Sequence, residues 1–185
     1  MSDVQALILG CGYVGTRLAR ALADQGVGVA ATTMSSRRFA EIEAAGARAI
    51  RADVLEPASL RPLADLRPRV VFDLVRPQPL APDRYTTWGT RNIAGVFVDS
   101  PPSALVHLSS TAVHERRTTE WMSETTQVHP KTAFGEARAE VERIYLDLYQ
   151  DRGFPVRICR APTIYGPHRT LRDRLESGAY TRVDD

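Results

Sequence analysis

The sequence is 185 residues long, 43% hydrophobic and 25% charged, the proportions of one soluble globular domain with enough apolar mass for a core. Its formal net charge is only +2 and its basic residues are scattered among acids, which argues against a nucleic-acid partner. No stretch approaches the length of a membrane span, the two cysteines, Cys11 and Cys159, show neither metal-ligand spacing nor a disulfide framework, and a cytoplasmic location is expected.

The first apolar run, Val4 to Leu9, follows Met1-Ser2-Asp3 and is too short and too poorly flanked for a signal peptide. It passes into Gly10-Cys11-Gly12-Tyr13-Val14-Gly15 and then into Thr16 to Leu22, whose apolar residues recur at helical spacing. The pattern predicts strand, tight turn and helix with glycines spaced G-x-G-x-x-G. Gly10 allows the turn, Gly12 leaves room for a pyrophosphate, and Gly15 lets the helix approach the strand. The helix start then offers free N–H groups and partial positive charge to phosphates. A glycine-rich turn without a ligand is the plainer alternative.

Val27 to Thr32 reads as a second buried strand, Ser36 to Ala45 as a helix ended by Gly46, and Ala47 to Arg51 as a third strand. Glu56 to Leu63 follows as a short helix or turn and Val70 to Val75 as a fourth strand. Arg76 to Pro82 is expected to be a loop, because its prolines remove the donors a central strand needs. Arg84 to Val98 is predicted helical, Ala104 to Ser109 a fifth strand, and Val113 to Pro130 a polar loop over the site. Lys131 to Gln150 is the strongest helix and Phe154 to Arg160 the sixth strand. Strands alternating with helices predict an α/β doubly wound parallel sheet of Rossmann type, in one domain over residues 1–185. Ligands of such sheets sit at the carboxyl ends of the strands.

An acid about 20 positions past the glycines would bind the ribose 2′-OH of NAD. Here Ala30-Ala31-Thr32-Thr33-Met34-Ser35-Ser36-Arg37-Arg38 stands in that region, and no acid follows it before Glu41. Hydroxyls followed by two arginines suit a 2′-phosphate, since guanidinium forks pair with phosphate through two hydrogen bonds. NADP is therefore the expected cofactor, with NAD as the alternative.

Taken together, these residues and four later motifs resemble the extended short-chain dehydrogenase/reductases, the NAD-dependent epimerase/dehydratase family. Asp53-Val54 is similar to the family's adenine-contacting pair, and Gly89-Thr90-Arg91-Asn92 to its Gly-Thr-x-Asn helix motif. Leu108-Ser109-Ser110-Thr111-Ala112-Val113-His114 resembles the strand motif that carries the catalytic Ser or Thr, a role that falls on Ser110. Arg160 to Pro167 resembles the Tyr-Gly-Pro stretch after the sixth strand. The resemblance implies cofactor contacts from Gly10, Gly12, Tyr13, Val14, Gly15, Thr33, Arg37, Arg38, Asp53, Val54, Leu74, Val75 and Arg138.

The departures carry equal weight. The family's acid/base Tyr and the Lys four residues on align with Phe134 and Arg138, and the only lysine, Lys131, follows Gln127 rather than a tyrosine. A phenyl ring has no proton to exchange. Val75 and Arg76 stand where the family often has small residues, placing bulk and charge at the nicotinamide end. A replacement acid/base is sought in His114 and His168, with Tyr165 behind them; His107 is expected to be a packed core histidine and Asp73 to cap a helix or turn. The family continues past its Tyr-Gly-Pro stretch into a substrate lobe, so the chain reads as a fragment or as a member without that lobe. Two functions follow: an atypical NADP-dependent enzyme acting on a small polar or nucleotide-linked molecule, or a dinucleotide-binding sensor or interaction domain. A homodimer through the helices containing Arg91 and Arg138 is implied by the resemblance.

Overall fold

The structure, a computed structural model, describes residues 3–114 and 121–178. Its centre is a six-stranded parallel sheet in the order β3-β2-β1-β4-β7-β8. The strands are β1 (Ala6–Leu9), β2 (Val29–Thr33), β3 (Ala47–Arg51), β4 (Val70–Asp73), β7 (Ala104–Ser110) and β8 (Val156–Ala161), and a separate antiparallel hairpin holds β5 (Gln78–Ala81) and β6 (Arg84–Thr86). The helices are α1 (Tyr13–Ala23), α2 (Phe39–Ala44), α3 (Pro57–Ala64), α4 (Trp88–Phe97), α5 (Ala133–Arg152) and α6 (Leu171–Glu176). The doubly wound parallel sheet expected from the sequence is present.

Every residue of β1 is buried, because helices cover both faces of the sheet and leave no solvent side on which alternation could show. One apolar cluster packs Leu7, Leu9 and Val71 against Leu60, Ile93, Phe97 and Tyr145 on one face. The other packs Ile8 and Ala31 against Ala19 and Ile42. Strand order reverses between β1 and β4, so the crevice at the carboxyl ends of these two strands is where a ligand enters such a sheet.

The structure corrects the stretch from Arg76 to Val98. The prolines do keep residues 78–81 out of the main sheet, but the segment is not a loop: it pairs with Arg84–Thr86, turning at Asp83 with φ of +53°. The helix consequently begins at Trp88 rather than Arg84. Helical propensity gave way here to tertiary contact, since Tyr85 of β6 packs edge-on against Phe134 of α5 with ring centres 5.5 Å apart. Smaller corrections lie at the ends of elements. Ser36–Arg38 forms a 3-10 turn ahead of α2, β4 stops at Asp73, and α5 runs from Ala133 to Arg152. Thr132 caps α5 by accepting from the Gly135 N–H at 3.0 Å, an alternative that a sequence period cannot register. Of the polar segment expected over the site, residues 115–120 lie outside the described residues.

Candidate functional site

A cleft of about 740 Å³ opens at the carboxyl ends of β1, β4, β7 and β8. One end is the glycine turn. Gly10 has φ of +77°, a conformation that favours glycine, and its amide donates to Thr32 Oγ1 at 3.0 Å. A Cβ on Gly15 would lie 3.3 Å from the Gly10 carbonyl and from Ile8 Cγ2, so the helix is as close to the strand as it can come. A Cβ on Gly12 would meet only the Gly10 carbonyl, at 4.0 Å, and otherwise open space. Backbone can therefore approach a phosphate at Gly12, and the turn fits a dinucleotide. Burial pushes the Cys11 thiol up, against smaller opposing effects of Thr16 and Arg38, so it stays protonated inside the turn.

The other end is built from β7, β8 and α5. Strand register aligns Leu9 with Asp73 and Asp73 with His107, so these three share a row across the sheet. Alternation along β7 buries Leu105, His107 and Ser109 on one face and leaves Ser110 on the other parity at the strand end. Phe134, Arg138, Glu142 and Tyr145 recur at spacings of four, four and three, which places them along one side of α5. Two polar networks form where these faces meet.

In the first, Asp73 accepts from the Val75 N–H at 3.0 Å and from the Tyr145 hydroxyl at 2.8 Å, and lies 2.7 Å from His107 Nδ1. These contacts offset the cost of a carboxylate only 1% exposed. Burial, then the Asp73 charge and hydrogen bond, raise the Tyr145 hydroxyl well above its ordinary range. His107 Nε2 has no partner among the described residues. In the second network Ser109 donates to Glu142 at 2.5 Å and Arg160 grips the same carboxylate at 2.8 to 3.1 Å. His107 is thus a core histidine and Asp73 caps a turn, as the sequence implies, but each does so as part of a network that spans three elements.

Arg138 joins the networks to the cleft. It is 5% exposed, donates through Nη1 to the Leu108 carbonyl at 2.8 Å, and sits 5.2 Å from the centre of the Phe134 ring. Burial lowers its guanidinium to about 10, opposed by Asp73, reinforced by Arg76 and opposed again by Glu142.

The cleft brings together much of the expected set: Gly10, Gly12, Tyr13, Val14, Gly15, Leu74, Ser110 and Arg138 all line it, with Phe134 beside them. Ser110 Oγ also accepts from the Ala112 N–H at 3.2 Å, capping the turn after β7. Other residues lie elsewhere. His114 is buried, with Nδ1 3.1 Å from the Gln127 carbonyl and Nε2 3.4 Å from Arg160, and does not line the cleft. His168 is exposed with φ of +59° and is likewise outside the lining. Val75 packs under Gly10. Thr33 bonds within its own turn, Arg37 is exposed, and Arg38 pairs with Glu41 at 2.8 Å while donating to the Cys11 carbonyl at 2.6 Å. Asp53 accepts from the Leu55 N–H at 2.9 Å, and the Val54 carbonyl accepts from Asn92 at 2.8 Å, tying the loop after β3 to α4.

Sequence reading missed Glu142, Tyr145 and Arg160 as site supports and Arg169 as a lining residue. The signal was present for the first two: polar groups on the stripe of a helix that must face a sheet are there to meet partners. Arg169 left no trace, because it reaches the cleft through an isolated bridge between Gly166 and Arg169.

The model of the NAD dependent epimerase/dehydratase family matches residues 6–183. The chain belongs to that family. Its fold recurs in UDP-glucose 4-epimerase from Thermotoga maritima, solved with UDP-glucose, at a TM-score of 0.72 and 18% identity over 84% of this chain and 54% of that one. UDP-glucuronic acid 4-epimerase from Bacillus cereus, solved with NAD, gives 0.72 and 20% over 87% and 57%. A Methylobacillus flagellatus protein with only a provisional epimerase/dehydratase name gives 0.70 and 27% over 92% and 58%. No curated protein matches the sequence. This family member thus spans little more than half the length of the solved structures it resembles. Among its described residues no helix is long and apolar enough to cross a membrane, and no cluster of His, Cys, Asp and Glu could hold a metal.

Proposed function

We propose that the chain binds a nicotinamide dinucleotide in the cleft and presents it to a small polar or nucleotide-linked molecule, as an atypical oxidoreductase or epimerase/dehydratase. The observation that carries this reading is the continuity of one cleft from Gly12 to Ser110 and Arg138. Relatives of the same fold, from Bacillus cereus and Thermus thermophilus, were solved with NAD. A bound dinucleotide supplies hydride exchange. The chain's own residues would hold its phosphates on the Gly12 backbone and aim Ser110 at the reacting oxygen as a hydrogen-bond donor.

A second reading, binding without turnover, has its own support. Phe134 offers no proton, His114 is committed to Gln127 and Arg160, and His168 is off the cleft. Titration calorimetry with NADH and NADPH, followed by a search for hydride exchange, separates the two. Ser110→Ala is expected to abolish turnover and leave cofactor affinity unchanged; turnover that survives the substitution removes Ser110 from the chemistry.

NADP rather than NAD is supported by the absence of an acid from Ala30 to Ala40, after the second strand begins, and by Arg37, which is exposed in the 3-10 turn that follows β2. Arg37→Ala should weaken NADPH and spare NADH, and equal affinities before and after would rule out the preference. A homodimer through α4 and α5, which Arg91 and Glu140 join at 3.0 Å, belongs to the same proposal and is read from the solution mass.

A further inference from the structure

The cleft carries more positive charge than a dinucleotide accounts for at its reaction end. Arg76, Arg138 and Arg169 line it, and among the described residues no aspartate or glutamate does. The carboxylates nearest Arg138 are engaged elsewhere: Asp73 with Val75, His107 and Tyr145, Glu142 with Ser109 and Arg160. They offset part of the Arg138 charge through space, and Arg76 acts against it. Arg138 is also only partly satisfied, because Nη1 holds the Leu108 carbonyl while the buried Nε has no partner among the described residues.

The three arginines divide by position. The Arg169 guanidinium lies 5.1 Å from the centre of the Tyr13 ring, in the glycine turn, and so belongs to the phosphate end. Arg76 follows β4 and Arg138 projects from α5, which puts both at the reaction end with Ser110 and Phe134. Two like charges on a partly desolvated wall repel each other until an anion joins them. Guanidinium groups take carboxylate and phosphate oxygens through paired, charge-assisted hydrogen bonds.

Building on the dinucleotide reading, we infer that Arg76 and Arg138 form an oxyanion subsite that takes a carboxylate or phosphate of the second ligand, so that the substrate class is a small acidic molecule. Arg138 then holds the substrate rather than the cofactor ribose. Phe134 gives the subsite an apolar side, and the Ser110 hydroxyl lies within the same wall.

Calorimetric titration of the whole chain with inorganic phosphate and with malonate, each with and without saturating NADH, tests this. At least one anion should bind with NADH in place. Arg76→Gln should weaken that binding about ten-fold and leave NADH affinity unchanged; Arg138→Gln should do the same, and the exposed Arg76 decides the matter if the buried Arg138 variant fails to fold. The subsite is overturned if neither anion binds, if binding is indifferent to Arg76, or if NADH displaces the anion and Arg76→Gln weakens NADH, since the charge would then serve the cofactor. Should NADH itself fail to bind, the dinucleotide reading falls, while anion binding that is lost in Arg76→Gln still upholds the subsite.

Discussion

At the phosphate end of the cleft the wall is main chain: Gly10 turns with a positive φ, Gly12 leaves open space, and the start of α1 presents N–H groups. At the reaction end the wall is side chain: Ser110 from β7, Phe134 and Arg138 from α5, and Arg76 from the loop after β4. The phosphate end keeps enough of the family pattern to be found by spacing alone. At the reaction end a phenyl ring, Phe134, and a guanidinium, Arg138, stand where the sequence resemblance implies a tyrosine and a lysine. Binding that relies on backbone tolerates changes of side chain, whereas proton transfer depends on the identity of single groups.

Substitutions can break this comparison in order of expected effect. Glu142→Ala should cost the most, about 3 kcal/mol, because it strands Arg160 in a half-buried place without its carboxylate. Denaturant unfolding measures it, and a loss under about 1 kcal/mol would mean that the reaction end is not held by its charges. The glycine turn should keep its NADH affinity if the variant folds.

Tyr145→Phe should cost about 1.5 kcal/mol, the value of a hydrogen bond to a charged acceptor. It should also alter the dependence on pH. Because the folded-state pKa of Tyr145 is raised, the folded protein holds a proton that the unfolded chain releases near pH 10. That contribution is complete below the unfolded pKa and is lost as pH rises through the folded one. Unfolding titrations from pH 8 to 11 should therefore show the wild type losing stability above about pH 10 more steeply than Tyr145→Phe.

Gly12→Ala is the reciprocal case and the smallest in stability. Its new Cβ meets only a carbonyl oxygen at 4.0 Å, at a φ of −96°, so folding should change by less than about 0.5 kcal/mol. The affinity for NADH should nonetheless fall about ten-fold or more, since the methyl group fills the space left for the pyrophosphate. Unchanged affinity would show that the phosphate end is not where the dinucleotide lies.

The alternation of apolar runs and helical periods determined the parallel sheet, and the glycine spacing located the turn at the end of β1. Both are local properties of the chain, read from continuous apolar runs, from periods of 3.6 residues and from the conformations open to glycine. Phe134 and Arg138 could also be named from sequence, because their distance from each other repeats that of a known pair. What only the tertiary structure decided was partnership. His114 looks like a candidate acid when seen as the fourth residue past Ser110, yet folding buries it against Gln127 and Arg160. Arg76 and Arg138 are far apart in the chain and share a wall only because β4 ends and α5 begins at the same crevice. Hydrogen bonds and charges act over a few ångströms between residues whose sequence separation carries no information about that distance, so the frame of the site was legible in the chain and its chemistry was not.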